Sequence, residues 1–280
     1  RPRTLVLNNL EFDHADIYKD LDAILWQFHQ LLRTVPCKGR IVVNGVDENL
    51  KVLLSQGCWT PTETFSTGDD SDWMARFGDK VERHIGMRGP GGQAAETRWR
   101  IGGTYNLENA LAAVAAAASA GVSLEQAVDS MSRFDGVKRR MERTATVADI
   151  AIYDDFAHHP TAIAKSIRSM RKRYPGHRIV VAVEPRSNTM KLGVHNETLA
   201  DALQDADLVW MYRPDDMPDD FESHLQSLGK KLRLYDDYDR LVTDMSTRVL
   251  GGDQVIFMSN GGFGSARQTL TALLQRTRAG

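Results

Sequence analysis

Two acids and two histidines fall within six residues in the run Tyr153-Asp154-Asp155-Phe156-Ala157-His158-His159-Pro160-Thr161. Carboxylates and imidazoles this close together can exchange protons or hold a cation. The run follows the apolar Val147, Ile150 and Ile152, which read as a strand, and Pro160 suits a first helical position. The four groups therefore stand where a strand ends and a helix begins. Open α/β sheets bind ligands in the crevice beyond the carboxyl ends of their strands. Each residue alone also suits a solvated turn; together they point to a charged, phosphorylated or metal-bound ligand.

Two later strand ends carry comparable loops, Glu184-Pro185-Arg186 and Ser259-Asn260-Gly261-Gly262. Arg186 can clamp a carboxylate with two parallel hydrogen bonds, and Lys191 adds a second positive charge. Ser259 and Asn260 offer neutral hydrogen bonds, and the glycine pair lets a ligand approach backbone N–H groups. Parallel strands put all three ends on one edge, so the loops near positions 155, 186 and 260 are expected to form one pocket. In the first half, His14 lies beside Glu11, Asp13 and Asp16, a set that suits either a divalent ion or a polar helix entry. Gly261-Gly262-Phe263-Gly264 lacks the G-x-G-x-x-G spacing, which argues against a dinucleotide site.

The elements that must position these residues alternate between strand and helix. Short apolar runs at 4–7, 40–44, 178–183, 208–212, 232–235 and 255–258 read as strands. Leu21, Ile24, Leu25, Phe28, Leu31 and Leu32 share one helical face, and Ala110 to Ala120 is an alanine-dense helix capped by Gly121. Residues 60–98 look irregular, with turns at 67–72 and a flexible Gly/Pro loop from Gly86 through Gly92. The alternation predicts an α/β fold with a mostly parallel, doubly covered sheet, and a domain boundary between residues 134 and 146.

At 280 residues, 26% charged, 42% hydrophobic and net charge −2, the chain has a globular composition without the basic surface that nucleic-acid binding needs. No apolar run is long enough to span a bilayer. Cys37 and Cys58 form no C-x-x-C pair, which fits a cytoplasmic location. The start at Arg1, without Met, suggests a processed or truncated product.

The phrases NNLEFDHADIY (8–18), YDDFAHHPTAI (153–163), EPRSNTMKLG (184–193) and MSNGGFG (258–264) resemble the Mur ligase family, and the middle two resemble its tripeptide-adding subgroup. The resemblance spans nearly the whole chain. It implies that residues 1–138 are the later part of a central ATPase domain and residues 139–280 a complete Rossmann-like C-terminal domain. It further implies ATP and Mg²⁺ as cofactors, with UDP-N-acetylmuramate and the tripeptide L-Ala-γ-D-Glu-meso-diaminopimelate as substrates. ATP would convert the muramoyl carboxylate to an acyl phosphate, which the tripeptide amine attacks in peptidoglycan recycling. By the same resemblance His14 matches the magnesium histidine, Asn106 and Asn109 the adenine site, Arg140 a hinge arginine that reaches ATP, and Asp155 an acid at the ribose or phosphates. His158, Arg186, Ser259 and Asn260 fall where the incoming peptide should lie; His14, Asp155 and His158 are the expected catalytic residues.

Departures are visible. Tyr105 stands where the family usually has His, Ser265-Ala266-Arg267 replaces an expected Gly-Ile-His, and no lysine occurs between Lys19 and Lys38 to carry a carbamate. No G-x-x-x-x-G-K-[ST] phosphate loop occurs, so this stretch alone is not expected to catalyse ligation. Alternatives are a peptide-binding module without chemistry, or another Mur ligase such as the UDP-N-acetylmuramate–L-alanine ligase, against which the EPRSNTMK run argues. A metal site on His158-His159 lacks a third ligand of diagnostic spacing.

Overall fold

The computed structural model describes residues 1–68, 70–80 and 82–278, and the chain divides into two compact units, Arg1–Asp135 and Gly136–Gly280. The first unit runs β1 (Thr4–Leu7), α1 (Leu21–Leu32), β2 (Arg40–Asn44), α2 (Glu48–Ser55), β3 (Thr62–Ser66), β4 (Trp73–Phe77), β5 (His84–Arg88), β6 (Ala94–Arg98), α3 (Thr104–Ser119) and α4 (Leu124–Met131). Its sheet has the order β1-β2-β3-β4-β5-β6; β1 through β4 pair parallel, and β4-β5-β6 pair antiparallel. The buried stripe of α3, from Leu107 to Ala115, packs with Val42, Phe65 and Ile85 from the sheet. Small alanines allow that close approach.

Four short strands occupy the stretch that reads as irregular in sequence. Their inward residues, such as Ile85 and Met87 of β5, alternate with exposed or half-buried His84, Gly86 and Arg88, so each presents too few apolar residues to signal a strand. The expected Gly86–Gly92 loop shrinks to a turn, because Gly86 through Arg88 complete β5 and Pro90–Gly92 forms a single 3₁₀ turn before β6. Within the expected turn at 67–72, Asp69 lies outside the described residues.

The second unit runs β7 (Glu142–Val147), β8 (Ile150–Asp155), α5 (Pro160–Arg173), β9 (Ile179–Val183), α6 (Asn188–Lys191), α7 (Asn196–Ala202), β10 (Leu208–Tyr212), α8 (Phe221–His224), β11 (Leu232–Tyr235), α9 (Tyr238–Arg248), β12 (Gln254–Met258) and α10 (Ala266–Arg278). The sheet order is β11-β10-β9-β12-β8-β7, all parallel except the β7–β8 hairpin. The apolar alternation before Asp154 is thus two strands, joined by Ala148 and Asp149 with φ of 47° and 62°, the left-handed pair of a tight hairpin. Side chains alternate across the sheet. Ala151 and Tyr153 join the core under α5 and α7, while Ile150 and Ile152 join the core under α9 and α10. The consecutive acids Asp154 and Asp155 therefore point to opposite faces.

Candidate functional site

Register brings the expected loops together. Met258 of β12 aligns with Asp155 of β8 on one side and Val183 of β9 on the other. The chain then crosses the edge with matched hydrogen bonds: Ser259 N donates to the Asp155 carbonyl at 3.1 Å, and Glu184 N donates to the Met258 carbonyl at 3.0 Å. The loops beginning at Phe156, Glu184 and Ser259 form one rim. Arg186, exposed, lies directly over Gly261: a Cβ built there would come 2.5 Å from its Cδ. Lys191 pairs with Asp216 at 2.7 Å.

Beneath the rim, the Glu184 carboxylate is buried and accepts from three donors. Tyr238 Oη donates to Oε1 at 2.5 Å, while the Ser259 hydroxyl and the Phe263 N–H (3.2 Å) both donate to Oε2. Ser259 Oγ in turn accepts from Gly261 N at 2.8 Å. Burial and the bond to Glu184 push the Tyr238 hydroxyl well above its ordinary range, so it keeps its proton. The Ser259 hydroxyl is thus committed to the loop, a different task from the direct peptide contact expected of it. Asn260 has a buried amide oxygen with no hydrogen-bond partner.

Arg139 ties the same loop from outside. Its Nη2 donates to the carbonyls of Ser259 (2.7 Å) and Gly261 (2.5 Å), and its guanidinium lies 5.0 Å from the Phe156 ring. Arg140 lies 5.4 Å from that ring. Asp154 is approached by Arg139 at 3.6 Å and by Arg267 at 3.4 Å, which gives the unexpected Arg267 a partner. A cleft of about 270 Å³ opens between these residues and Gly262.

Asp155 turns the other way. Its carboxyl is buried and accepts from Ser166 Oγ at 2.5 Å and Ala157 N at 3.3 Å. Burial raises its pKa above the usual carboxylate range, opposed by the Ser166 bond, backbone N–H groups and the Arg140 charge. A buried acid so engaged supports the loop-to-α5 turn. His158 Nδ1 lies 2.9 Å from the Phe156 carbonyl, so that nitrogen carries the proton. His159 caps α5, accepting from Thr161 N, and packs edge-on against His195.

In the first unit, His14 is exposed at φ 55°, its carbonyl accepting from Ile17 N and Tyr18 N. Among the described residues no group of three His, Cys, Asp or Glu is placed to hold a metal. His14 can thus offer one ligand, with no second and third His, Cys, Asp or Glu beside it among the described residues. Asn106 and Asn109 share one side of α3; Asn106 donates to the Gly102 carbonyl at 2.8 Å and Asn109 accepts from Asn8 at 2.9 Å. Buried Glu82 accepts from Gly103 N at 2.6 Å, just before α3.

Sequence reasoning found the rim but missed Glu184 as its anchor, with Tyr238 and Arg139. No spacing connects positions 139, 184, 238 and 259; only the strand order does.

Comparisons with known proteins fit this architecture. Residues 1–117 match the family described as Mur ligase middle domain, and residues 139–261 match that described as Mur ligase, glutamate ligase domain. The chain belongs to the Mur ligase family. Among Mur ligases it is similar to the UDP-N-acetylmuramate--L-alanyl-gamma-D-glutamyl-meso-2,6-diaminoheptandioate ligases of Haemophilus influenzae (38% identical) and Escherichia coli (39%), in each case over 96% of this chain and 59% of the relative. It therefore spans about three-fifths of these curated relatives. A solved murein peptide ligase from Psychrobacter arcticus superimposes with a TM-score of 0.72 at 35% identity, covering 98% of this chain and 58% of that one.

Proposed function

We propose that this chain is part of an ATP-dependent carbon–nitrogen ligase that joins L-Ala-γ-D-Glu-meso-diaminopimelate to UDP-N-acetylmuramate in the cytoplasm. Residues 1–138 are the later part of its ATP-binding domain and residues 139–280 its peptide-binding domain. The observation that carries this reading is the rim made by the loops after β8, β9 and β12 in one register, with Arg186 exposed on it and Asn260 half-buried beside it. A tripeptide with several carboxylates needs a cationic anchor, which Arg186 supplies from the exposed side of the rim. The similarity to tripeptide-adding relatives supports the same substrate.

His158 and Arg186 contact the peptide, and Ser259 acts through the loop that carries Asn260. Asn106 and Asn109 lie toward the adenine of ATP, Arg140 and Asp155 help shape the nucleotide side, and His14 gives a single magnesium ligand. ATP, when bound, activates a carboxylate by phosphorylation; these residues bind and orient. Calorimetric titration of the 280-residue chain with the tripeptide tests the reading. Saturable binding that Arg186→Ala weakens supports it. Binding that ignores Arg186, or no binding, overturns it.

A further inference from the structure

Glu184 is a buried carboxylate on the α9/α10 face of the rim, and three donors distant in sequence converge on it: Tyr238, Ser259 and Phe263. Two of the three bracket the Asn260-Gly261-Gly262 segment. Ser259 Oγ, held by Glu184, accepts from Gly261 N, and Phe263 N binds the same carboxylate oxygen. Both ends of the segment are therefore tied to one oxygen atom, while Tyr238 fixes the other oxygen. A Cβ at Gly264 would strike the Tyr238 ring, so the chain beyond the segment is moulded around the same phenol. The backbone of Glu184 is fixed as well, its N–H donating to the Met258 carbonyl of β12 at 3.0 Å. Nothing in this arrangement offers Glu184 to a ligand.

We propose that Glu184 is a positioning residue for peptide recognition: it sets the conformation of the Asn260–Gly262 segment so that Asn260 faces the incoming peptide and Gly261 seats Arg186. The proposal rests on the reading of the rim as the peptide's site. Its core is a division of labour. Arg186 touches the ligand; Glu184, two residues earlier and on the buried side, holds the surface against which Arg186 lies.

The test combines two readouts on the 280-residue chain: amide hydrogen exchange at Gly261 and Phe263, and calorimetric affinity for L-Ala-γ-D-Glu-meso-diaminopimelate. Glu184→Ala should speed exchange at both amides and weaken tripeptide binding about tenfold, the scale of a lost hydrogen bond to a charged group. Glu184→Gln should stay within about threefold of wild type, because its amide oxygen can accept from Ser259 and Phe263 while its NH₂ donates to the Tyr238 oxygen. Ser259→Ala, which removes one tie and keeps the carboxylate, should speed exchange at Gly261 and serves if Glu184→Ala fails to fold. Asp253→Asn is the control for a merely structural effect. Asp253 is a buried carboxylate at the opposite edge of the same sheet, paired with Arg178 at 2.6 Å, and its loss should lower thermal stability with affinity unchanged. Unchanged exchange in Glu184→Ala and Ser259→Ala overturns the proposal, as does an affinity loss in Asp253→Asn equal to that in Glu184→Ala. If wild type takes up no tripeptide, the peptide reading falls, and the exchange rates alone then decide whether Glu184 sets the segment.

Discussion

Gly261→Ala should separate stability from recognition at the rim. The added Cβ would lie 2.5 Å from Arg186 Cδ, 2.6 Å from Nη1 and 2.9 Å from Nε. Ordinary contact begins near 3.4 Å, so the arginine must retreat by about 1 Å. It can do so, because Arg186 is exposed and its side chain is flexible. Gly261 has no positive φ, so the backbone accepts alanine without strain. The stability change should stay within about 0.5 kcal/mol, the usual range for surface substitutions. Recognition is less forgiving. A displacement of that size breaks a paired guanidinium–carboxylate geometry, and a hydrogen bond to a charged group contributes about 1.5–3 kcal/mol. Solvent screening at an exposed arginine brings the expected loss to ~1.5 kcal/mol, near tenfold in Kd. The assay is a double-mutant cycle by calorimetry with the tripeptide. If Gly261→Ala acts through Arg186, adding Arg186→Ala costs nothing further. Wild-type affinity in Gly261→Ala, or fully additive losses in the double variant, would refute the reasoning.

Three other outcomes follow from the same geometry. Asp155 has a raised folded pKa, so its contribution is fully present below the unfolded carboxylate pKa and is lost as pH rises through the folded value; in denaturant titrations, wild type should lose stability relative to Asp155→Asn on going from pH 4 to pH 8, and a constant difference would disprove it. Asp253→Ala strands Arg178 and the Leu250 N–H, which donates to the same carboxylate, and should destabilise the second unit by about 2–4 kcal/mol, read as a lower thermal midpoint. Asp149→Gly relieves a left-handed residue in the β7–β8 turn and should raise the midpoint by a few degrees, about 1 kcal/mol.

Much of this was legible in sequence, for physical reasons that particular residues display. The strands β8, β9 and β12 are continuous apolar runs because both faces are covered, and each ends in a polar loop. Their convergence followed from parallel pairing alone. The strands β3 to β6 were illegible because their buried residues are outnumbered by half-buried or exposed ones, which leaves each without a continuous apolar run. The split of Asp154 from Asp155 required the strand's register to the last residue: one acid meets Arg139 and Arg267, its neighbour meets Ser166. Glu184 looked like part of a polar loop, since the partners that bury it come from α9 and from beyond β12. Whether Ser259 would face a ligand or the interior depended on that same unseen carboxylate.

The last strand in the chain is third from one side of its sheet, inserted between β8 and β9. On the ribosome, β8 emerges about 100 residues and β9 about 70 residues before β12, and the two have no direct pairing with each other. Until residues 254–258 leave the exit tunnel, the nascent sheet keeps a vacant slot with two sticky borders, open to any stray extended peptide. Premature termination upstream of Gln254 would thus yield a species prone to coalesce, and a chaperone that masks the slot during synthesis would do more for yield than one acting after release.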